Sequence, residues 1–248
     1  MPINSASLCI DCLIGRAERL ALVMNNSERF RHLVKSRVFS DLSKPFAMQF
    51  LDECHVQIYH QRTRILTEGL KPESVYMVAH GTIDIFNESP LGHRVLLHRA
   101  GQGEIVGDIE MLAEEPCVAT CETSETATLL ICSRKQFLTA IAADKQFLRN
   151  LMKIISLRLD RSNQFKVVDR CYPIEQRLCS YLQYLSLRTP VITENQHFLA
   201  ELIGCSRQTI NRELRALRDL GVISTQNSRI EVLDPERLAD LAQSRLPD

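Results

Sequence analysis

The chain has 248 residues, with 30 basic side chains balanced by 30 acidic ones, so nothing in its global charge marks a nucleic-acid or membrane binder. It is long enough for one large domain or two smaller ones, 45% of it is hydrophobic, and no apolar run reaches the roughly 18 residues of a membrane span. The first residues lack the charged start, apolar core and small-residue cleavage site of a secretory signal. With nine cysteines, the expectation is a cytoplasmic protein whose thiols are mostly free.

Residues 1–40 read as an N-terminal extension. Leu13, Ala17, Leu20, Ala21 and Met24 fall at helical spacing, and a second short helical run is expected from Glu28 to Val38. Ahead of them Cys9 and Cys12 form a C-x2-C pair. Such a pair ligates zinc or an iron–sulfur cluster only with two further thiolates or imidazoles in space; otherwise the cysteines are structural.

From about Asp41 to Ala142 the texture is that of strands. V-Q-I-Y, T-R-I-L, V-Y-M-V, T-I-D-I-F, R-V-L-L-H and T-L-L-I-C are short and rich in β-branched residues, and Glu68-Gly69, His80-Gly81 and Gly101-Gln102-Gly103 are turn signals between them. Strands at this spacing indicate an antiparallel sandwich, roll or barrel, whose interior is a candidate sensor for a ligand.

Asp144 to about Arg170 is one uninterrupted helical pattern. Leu148, Met152, Ile155 and Leu159 recur at alternating four- and three-residue steps, the seam of a two-stranded coiled coil. The same helix could instead lie on the strand domain, but a dimer seam accounts better for the pattern. Pro173 ends the helix near Tyr172 and marks a hinge. Beyond it, Arg177, Leu178, Tyr181, Leu182 and Leu185 are spaced for the buried face of a helix over residues 174–187.

The stretch from Asn195 to Ser224 reads as two short helices joined by a glycine-containing turn. Phe198, Leu199, Leu202 and Ile203 make an apolar stripe, Gly204 suits a left-handed helix end, and Ser206 is a natural N-cap. Ile210, Leu214 and Leu217 point inward in the second helix. Ser206, Arg207, Gln208, Thr209, Asn211, Arg212 and Arg215 fall at its start or on its other faces. A helix-turn-helix that enters the major groove needs this division, although a helical hairpin with a solvated arginine face would show it too. Val222-Ile223 and Ile230–Val232 flank a turn and read as a wing, and a last helix is expected from Pro235 to about Leu246. No G-x-S-x-G, Walker loop, H-E-x-x-H or distinctive acid pair suggests an enzyme.

In this order the elements resemble the CRP/FNR transcription regulators, over about residues 42–234. The most specific match is L-I-G-C-S-R-Q-T-I-N-R-E-L-R-A-L-R-D-L-G-V-I-S; the second is V-Y-M-V-A-H-G-T-I-D-I-F followed by G-Q-G-E-I-V-G-D-I-E-M-L. The resemblance implies an α+β chain: a β-roll of the cupin-like jelly-roll kind over 41–143, a dimerisation helix over 144–170 and a winged helix-turn-helix over 171–248. It also implies a homodimer on a near-palindromic double-stranded operator, with RNA polymerase as a further partner if the protein activates.

In relatives that bind cyclic AMP, a cassette resembling G-E-[LIV]-[AS]-x5-P-R-[ST]-A holds the nucleotide. Its glutamate takes the ribose hydroxyl and its arginine the cyclic phosphate. Here the resemblance places Gly107, Asp108, Ile109, Glu110, Cys117 and Val118 in that cassette, with Ser162 and Asn163 on the long helix at the same pocket. Asp108 replaces the glutamate, Cys117 the arginine and Val118 the hydroxyl residue. A thiol carries no fixed positive charge, so cyclic AMP is not the expected effector. A small ligand other than a cyclic nucleotide, or no ligand, is expected in its place; an iron–sulfur or thiol-based sensor using Cys9, Cys12, Cys117 and Cys121 is the alternative, although the third closely spaced N-terminal cysteine of the iron–sulfur branch is absent. Haem would draw on His80, His93 or His98, which as histidines on strand ends are expected to be surface residues.

Overall fold

A computed structural model of the chain describes residues 24–88, 94–187, 191–226 and 229–243. By packing, the chain divides into two units: Met1–Ile85 with Arg99–Ile155, and Phe86–His98 with Ser156–Asp248. No helix among the described residues is long and apolar enough to cross a membrane.

The first unit opens on a short helix, α1 (Asn26–Arg29), and two 3-10 turns, Arg31–Lys35 and Arg37–Phe39. The continuous helix expected from Glu28 to Val38 is therefore broken. Phe30 (φ −119°) and Ser36 (ψ 158°) leave helical geometry, and Phe30, Leu33, Val38 and Phe39 reach the core from turns. The expected helical run from Leu13 to Met24 lies outside the described residues except for Met24, which is in a bend, and Cys9 and Cys12 lie outside them too.

Helix α2 (Lys44–Glu53) follows, capped by Ser43, whose hydroxyl accepts from the Phe46 N–H at 3.3 Å. The strands are β1 (His55–Tyr59), β2 (Arg64–Leu66), β3 (Ser74–His80), β4 (Ile83–Glu88), β5 (Arg94–Ala100), β6 (Ile105–Val106), β7 (Thr120–Thr123) and β8 (Ala127–Ser133). A short helix, α3 (Asp108–Ala113), separates β6 from β7, and α4 (Arg134–Ala143) follows β8. The strand texture over 41–142 is thus corrected at both ends and in the middle. Ser133 and Gln136 form a capping box that starts α4, and Pro45 stands in the first turn of α2, where a missing N–H costs nothing.

Two four-stranded sheets result, ordered β1-β8-β3-β6 and β2-β7-β4-β5. The first has two apolar faces. Val75, Met77 and Ala79 of β3 and Leu130 and Cys132 of β8 pack on the helices, while Val78, Ala127 and Leu129 pack with Ile83, Val106 and Cys121 inside the roll. On the helical side the rings of Phe50 (α2) and Phe137 (α4) lie 5.3 and 6.0 Å from that of Phe147, which is fully buried. Phe147 belongs to the long helix α5 (Lys145–Cys171). Asn150 on the same face donates to the carbonyls of Val38 (3.0 Å) and Ser40 (2.6 Å), so the N-terminal turns are tied to α5.

In the second unit α5 ends at Cys171, Pro173 caps α6 (Ile174–Ser186), and β9 (Val191–Ile192), α7 (Gln196–Ile203), α8 (Arg207–Asp219), β10 (Ile223–Gln226), β11 (Arg229–Val232) and α9 (Pro235–Gln243) follow. The wing has three strands in the order β10-β11-β9 rather than the expected two, because Val191 and Ile192 pair with Glu231 and Ile230. The core joins Leu178, Leu182 and Leu185 of α6 to Phe198, Leu199 and Ile203 of α7, Ile210, Leu214 and Leu217 of α8, and Leu238 of α9. Phe86 and Leu96, on the β4–β5 hairpin, belong to the same cluster.

Candidate nucleic-acid interface and effector pocket

The chain makes the α7–α8 turn with few residues. Asn195 caps α7, its side-chain oxygen accepting from the Phe198 N–H at 2.9 Å. Gly204 ends the helix at φ 73°, ψ 46°, and the N–H groups of Gly204 and Cys205 both bond to the Ala200 carbonyl, at 2.9 and 3.0 Å. A side chain at position 204 would be strained in that left-handed conformation. Shortly after it the Ser206 hydroxyl accepts from the Thr209 N–H at 3.1 Å and starts α8.

Helix α8 has two faces. Ile210, Leu214 and Leu217 are buried, and Arg207, Gln208, Asn211, Arg212 and Arg215 are exposed, with Thr209 half-buried beside the cap. Glu213 is the one acid between Ser206 and Arg218, and Arg212 rests on it, Nε at 2.9 Å and Nη2 at 2.8 Å from the same oxygen. Arg207 Nε stands 3.5 Å from Gln196 Oε1, and Arg218 donates to Thr225 of the wing at 3.3 Å. All of the DNA-reading candidates therefore lie on or beside one exposed helical surface. The first-turn N–H groups and the arginines make that surface favourable to phosphate oxygens.

A support that spacing alone placed only on a buried face is Arg177 of α6. It forms an ion pair with Asp169 at 3.3 Å and donates to the Ile203 carbonyl, the last of α7.

The cassette keeps its backbone and lacks its cation. Gly107 sits at φ 80°, where an added Cβ would stand 3.1 Å from the Ser74 carbonyl oxygen. Asp108 is 1% exposed, Ile109 and Glu110 are half-buried, and the chain reverses through Glu114 at φ 59°. Cys117 is 3% exposed, held by its N–H to the Leu70 carbonyl (2.9 Å) and its own carbonyl to the Gly69 N–H (2.8 Å). Its side chain enters the roll interior with Leu66 and Cys121, while Val118 beside it is 70% exposed. Burial, and then the charge of Glu110, push the Cys117 thiol above its ordinary pKa, so it is uncharged near neutrality. Ser162 and Asn163 are exposed on α5 in the second unit.

Among the described residues no three His, Cys, Asp or Glu side chains gather as a metal site. Of the histidines considered for haem, His80 is exposed with Gln102 Nε2 at 3.0 Å. His98, expected at the surface, is instead buried, with Arg161 Nη1 3.4 Å from its Nε2. His93 lies outside the described residues. On α5, Leu148 and Ile155 are half-buried, and Met152 and Leu159 are 49% and 60% exposed, so the predicted seam is an apolar stripe left largely uncovered on one chain.

Two family models match in the expected order. A cyclic nucleotide-binding domain covers residues 56–144 and a Crp-like helix-turn-helix domain residues 176–241, together more than half of the chain. The cyclic AMP receptor protein of Thermus thermophilus is 27% identical over 189 residues, 75% of this chain and 87% of that one. Among solved structures, FixK2 from Bradyrhizobium japonicum superposes with a TM-score of 0.71 at 16% identity, covering 78% of this chain and 99% of its own. The c-di-GMP responsive regulator CLP of Xanthomonas campestris gives 0.65 at 22% identity, with 77% and 99% covered. The chain belongs to the CRP/FNR family, and its function is that of a DNA-binding transcription regulator rather than an enzyme.

Proposed function

We propose that the protein acts as a cytoplasmic homodimer on near-palindromic double-stranded DNA, and that its effector is not cyclic AMP. The observation that carries the DNA reading is the exposed polar face of α8 opposite its buried Ile210–Leu214–Leu217 stripe. Arg207, Gln208 and Arg212 reach base edges, Arg215 and Arg218 take phosphates, and the capped N-termini of α7 and α8 add backbone N–H donors. Arginine pairs with guanine O6 and N7, and the amide of Gln208 pairs with adenine N6 and N7. The uncovered Leu148, Met152, Ile155 and Leu159 stripe is the seam between two copies, which sets two recognition helices about 34 Å apart.

Effector chemistry varies on this fold. The Thermus relative is a cyclic AMP receptor protein and the Xanthomonas one is c-di-GMP responsive. The residues of the pocket, not the fold, therefore decide the ligand. Cys117 puts a buried, uncharged thiol where a guanidinium would pair with a cyclic phosphate, and the charge that acts on it is the carboxylate of Glu110, which would repel that phosphate.

Selection of bound sequences from random duplexes tests the reading. A two-fold motif with half-site centres about ten base pairs apart is expected. Enrichment of no motif, or of a single asymmetric site bound by one chain, rejects it.

A further inference from the structure

Two cysteines stand apart from the helix-turn-helix and the cassette. The β1–β8 ladder runs in register from Tyr59 opposite Ala127 to His55 opposite Ile131, so the next pair beyond it is Cys54 opposite Cys132. Cys54 is already extended (φ −75°, ψ 146°), and Cys132 is fixed on its other edge by pairing with Val75 of β3. Opposed residues of an antiparallel pair send their side chains to the same face, with Cα atoms about 4.5–5.5 Å apart. A disulfide accepts Cα separations of about 4.4–6.8 Å. Both side chains enter the same core cluster, 6% and 3% exposed.

The pair sits at a mechanical joint. Cys54 ends α2: its N–H bonds to the Leu51 carbonyl (3.2 Å) and its thiol donates to the Phe50 carbonyl (3.2 Å). Cys132 precedes Ser133, the N-cap of α4, and Gln136 of that cap donates to the Glu53 carbonyl at the end of α2. The two helices that meet here carry Phe50 and Phe137, the rings packed on Phe147 of α5.

We propose that Cys54 and Cys132 are a redox-active dithiol, closed to a disulfide by a hydroperoxide and reopened by a thiol reductant, and that closure stiffens the α2–α4 joint on which α5 rests. One sulfur, as thiolate, attacks the peroxide oxygen and becomes a sulfenic acid, releasing an alcohol, or water when the oxidant is hydrogen peroxide. The other sulfur displaces the sulfenic hydroxyl as water, so two thiols and one hydroperoxide give one disulfide, one alcohol and one water. A reductant dithiol reverses the change by two exchange steps and leaves as its own disulfide. The neighbouring Cys132 thiol and burial hold the Cys54 thiol well above its ordinary pKa, which makes closure slow. The site therefore answers sustained rather than brief oxidation. Small uncharged peroxides reach it more readily than bulky charged disulfides, and the apolar product suits the core.

Peptide mapping of the full chain tests the proposal without any variant. After hydrogen peroxide, alkylation and digestion, a peptide linked through Cys54 and Cys132 is expected, and dithiothreitol should remove it. Oxidation should also raise Tm by roughly 5–15 °C and slow amide exchange over residues 145–155. Neither change should occur in Cys132→Ala, nor in Cys54→Ala as the second variant. Recovery of Cys54 and Cys132 as separately alkylated thiols while other cysteines cross-link overturns the pairing. A 54–132 link with unchanged exchange in α5 overturns the stiffening.

Discussion

Replacing Arg212 by alanine should relax the choice of one base in each half-site and leave the protein folded. Arg212 has 74% of its side-chain surface exposed, and it pairs with the adjacent Glu213. An exposed pair of that kind contributes about 0–1 kcal/mol, so the guanidinium gives up little when it turns to a base. A bidentate arginine–guanine contact discriminates by about 1–3 kcal/mol, or roughly 5- to 150-fold per half-site. Alanine is the best helix former, so α8 itself is not weakened. Fluorescence anisotropy with the selected operator and its single-base variants, between about 50 and 200 mM salt, separates the alternatives. For base reading, the variant protein becomes indifferent at one position and the salt dependence keeps its slope. If affinity instead falls uniformly across sequences and the slope drops by about 0.9 for each phosphate that is no longer neutralised, Arg212 touches only phosphate and the assignment is wrong.

Four further residues or sites give outcomes from the same geometry. Ser206→Ala removes the hydroxyl that accepts from Thr209 and should cost about 1 kcal/mol, lowering Tm by roughly 2–4 °C; an unchanged Tm means the cap contributes nothing. Calorimetry should find no micromolar cyclic AMP binding, because the absence of the charge-assisted pair costs about 2–5 kcal/mol, and micromolar affinity that depends on Asp108 or Cys117 contradicts this. Leu159→Asp should shift sedimentation from dimer to monomer, as that side chain is 60% exposed on one chain, and an unaltered dimer moves the seam elsewhere. Alkylation of Cys117 should rise only at pH values above those of an ordinary thiol, because burial and Glu110 raise its pKa; an ordinary profile shows the site to be open to water.

Much of the fold is legible in the sequence because local chemistry and tertiary packing agree. Gly204 and Ser206 mark the α7–α8 turn in the sequence and hold it in the structure, and the 210–214–217 stripe is both periodic and buried. The six strands expected in the roll, β1–β5 and β8, are rich in β-branched residues and form where expected. The two unexpected strands of the roll carry no such signal. Ile105 and Val106 are too few to show alternation, and Thr120–Thr123 (T-C-E-T) is polar yet buried at three of its four positions. The turns before α2 imitate a helix because Phe30, Leu33, Val38 and Phe39 approximate helical spacing, while their backbone is set by packing and by Asn150, which is 112 residues away from Val38. The sequence marks Cys117 as a departure from the cassette, but not its direction. Only the fold shows the thiol turned into the core and Val118 turned out. The Cys54–Cys132 pair is hidden for a related reason, since opposition across a ladder depends on a register that sequence spacing does not carry.

The recognition surface is also anchored from behind. Phe165 near the end of α5 stacks on Tyr181 of α6, rings 4.2 Å apart and 12° from parallel, and the Tyr181 hydroxyl donates to Asp169 at 3.2 Å. Asp169 in turn pairs with Arg177, which also donates to the Ile203 carbonyl immediately before Gly204. The last turns of α5 are thus joined, through one arginine, to the turn that aims α8. That arginine's Nε is buried with no hydrogen-bond partner among the described residues, a deficit that commonly costs about 1–3 kcal/mol. The arrangement is accordingly held at less than full satisfaction of its own donors. A change in direction at the end of α5 must break the Asp169 pair, the Ile203 hydrogen bond or both, or carry the α7–α8 turn with it. Breaking either one would leave a largely buried guanidinium with a second unsatisfied donor, whereas Gly204 has no side chain to obstruct a change in its backbone angles. Movement of the turn is the lower-cost response. The position of α8 is therefore set by the end of α5 as much as by its own helical hairpin.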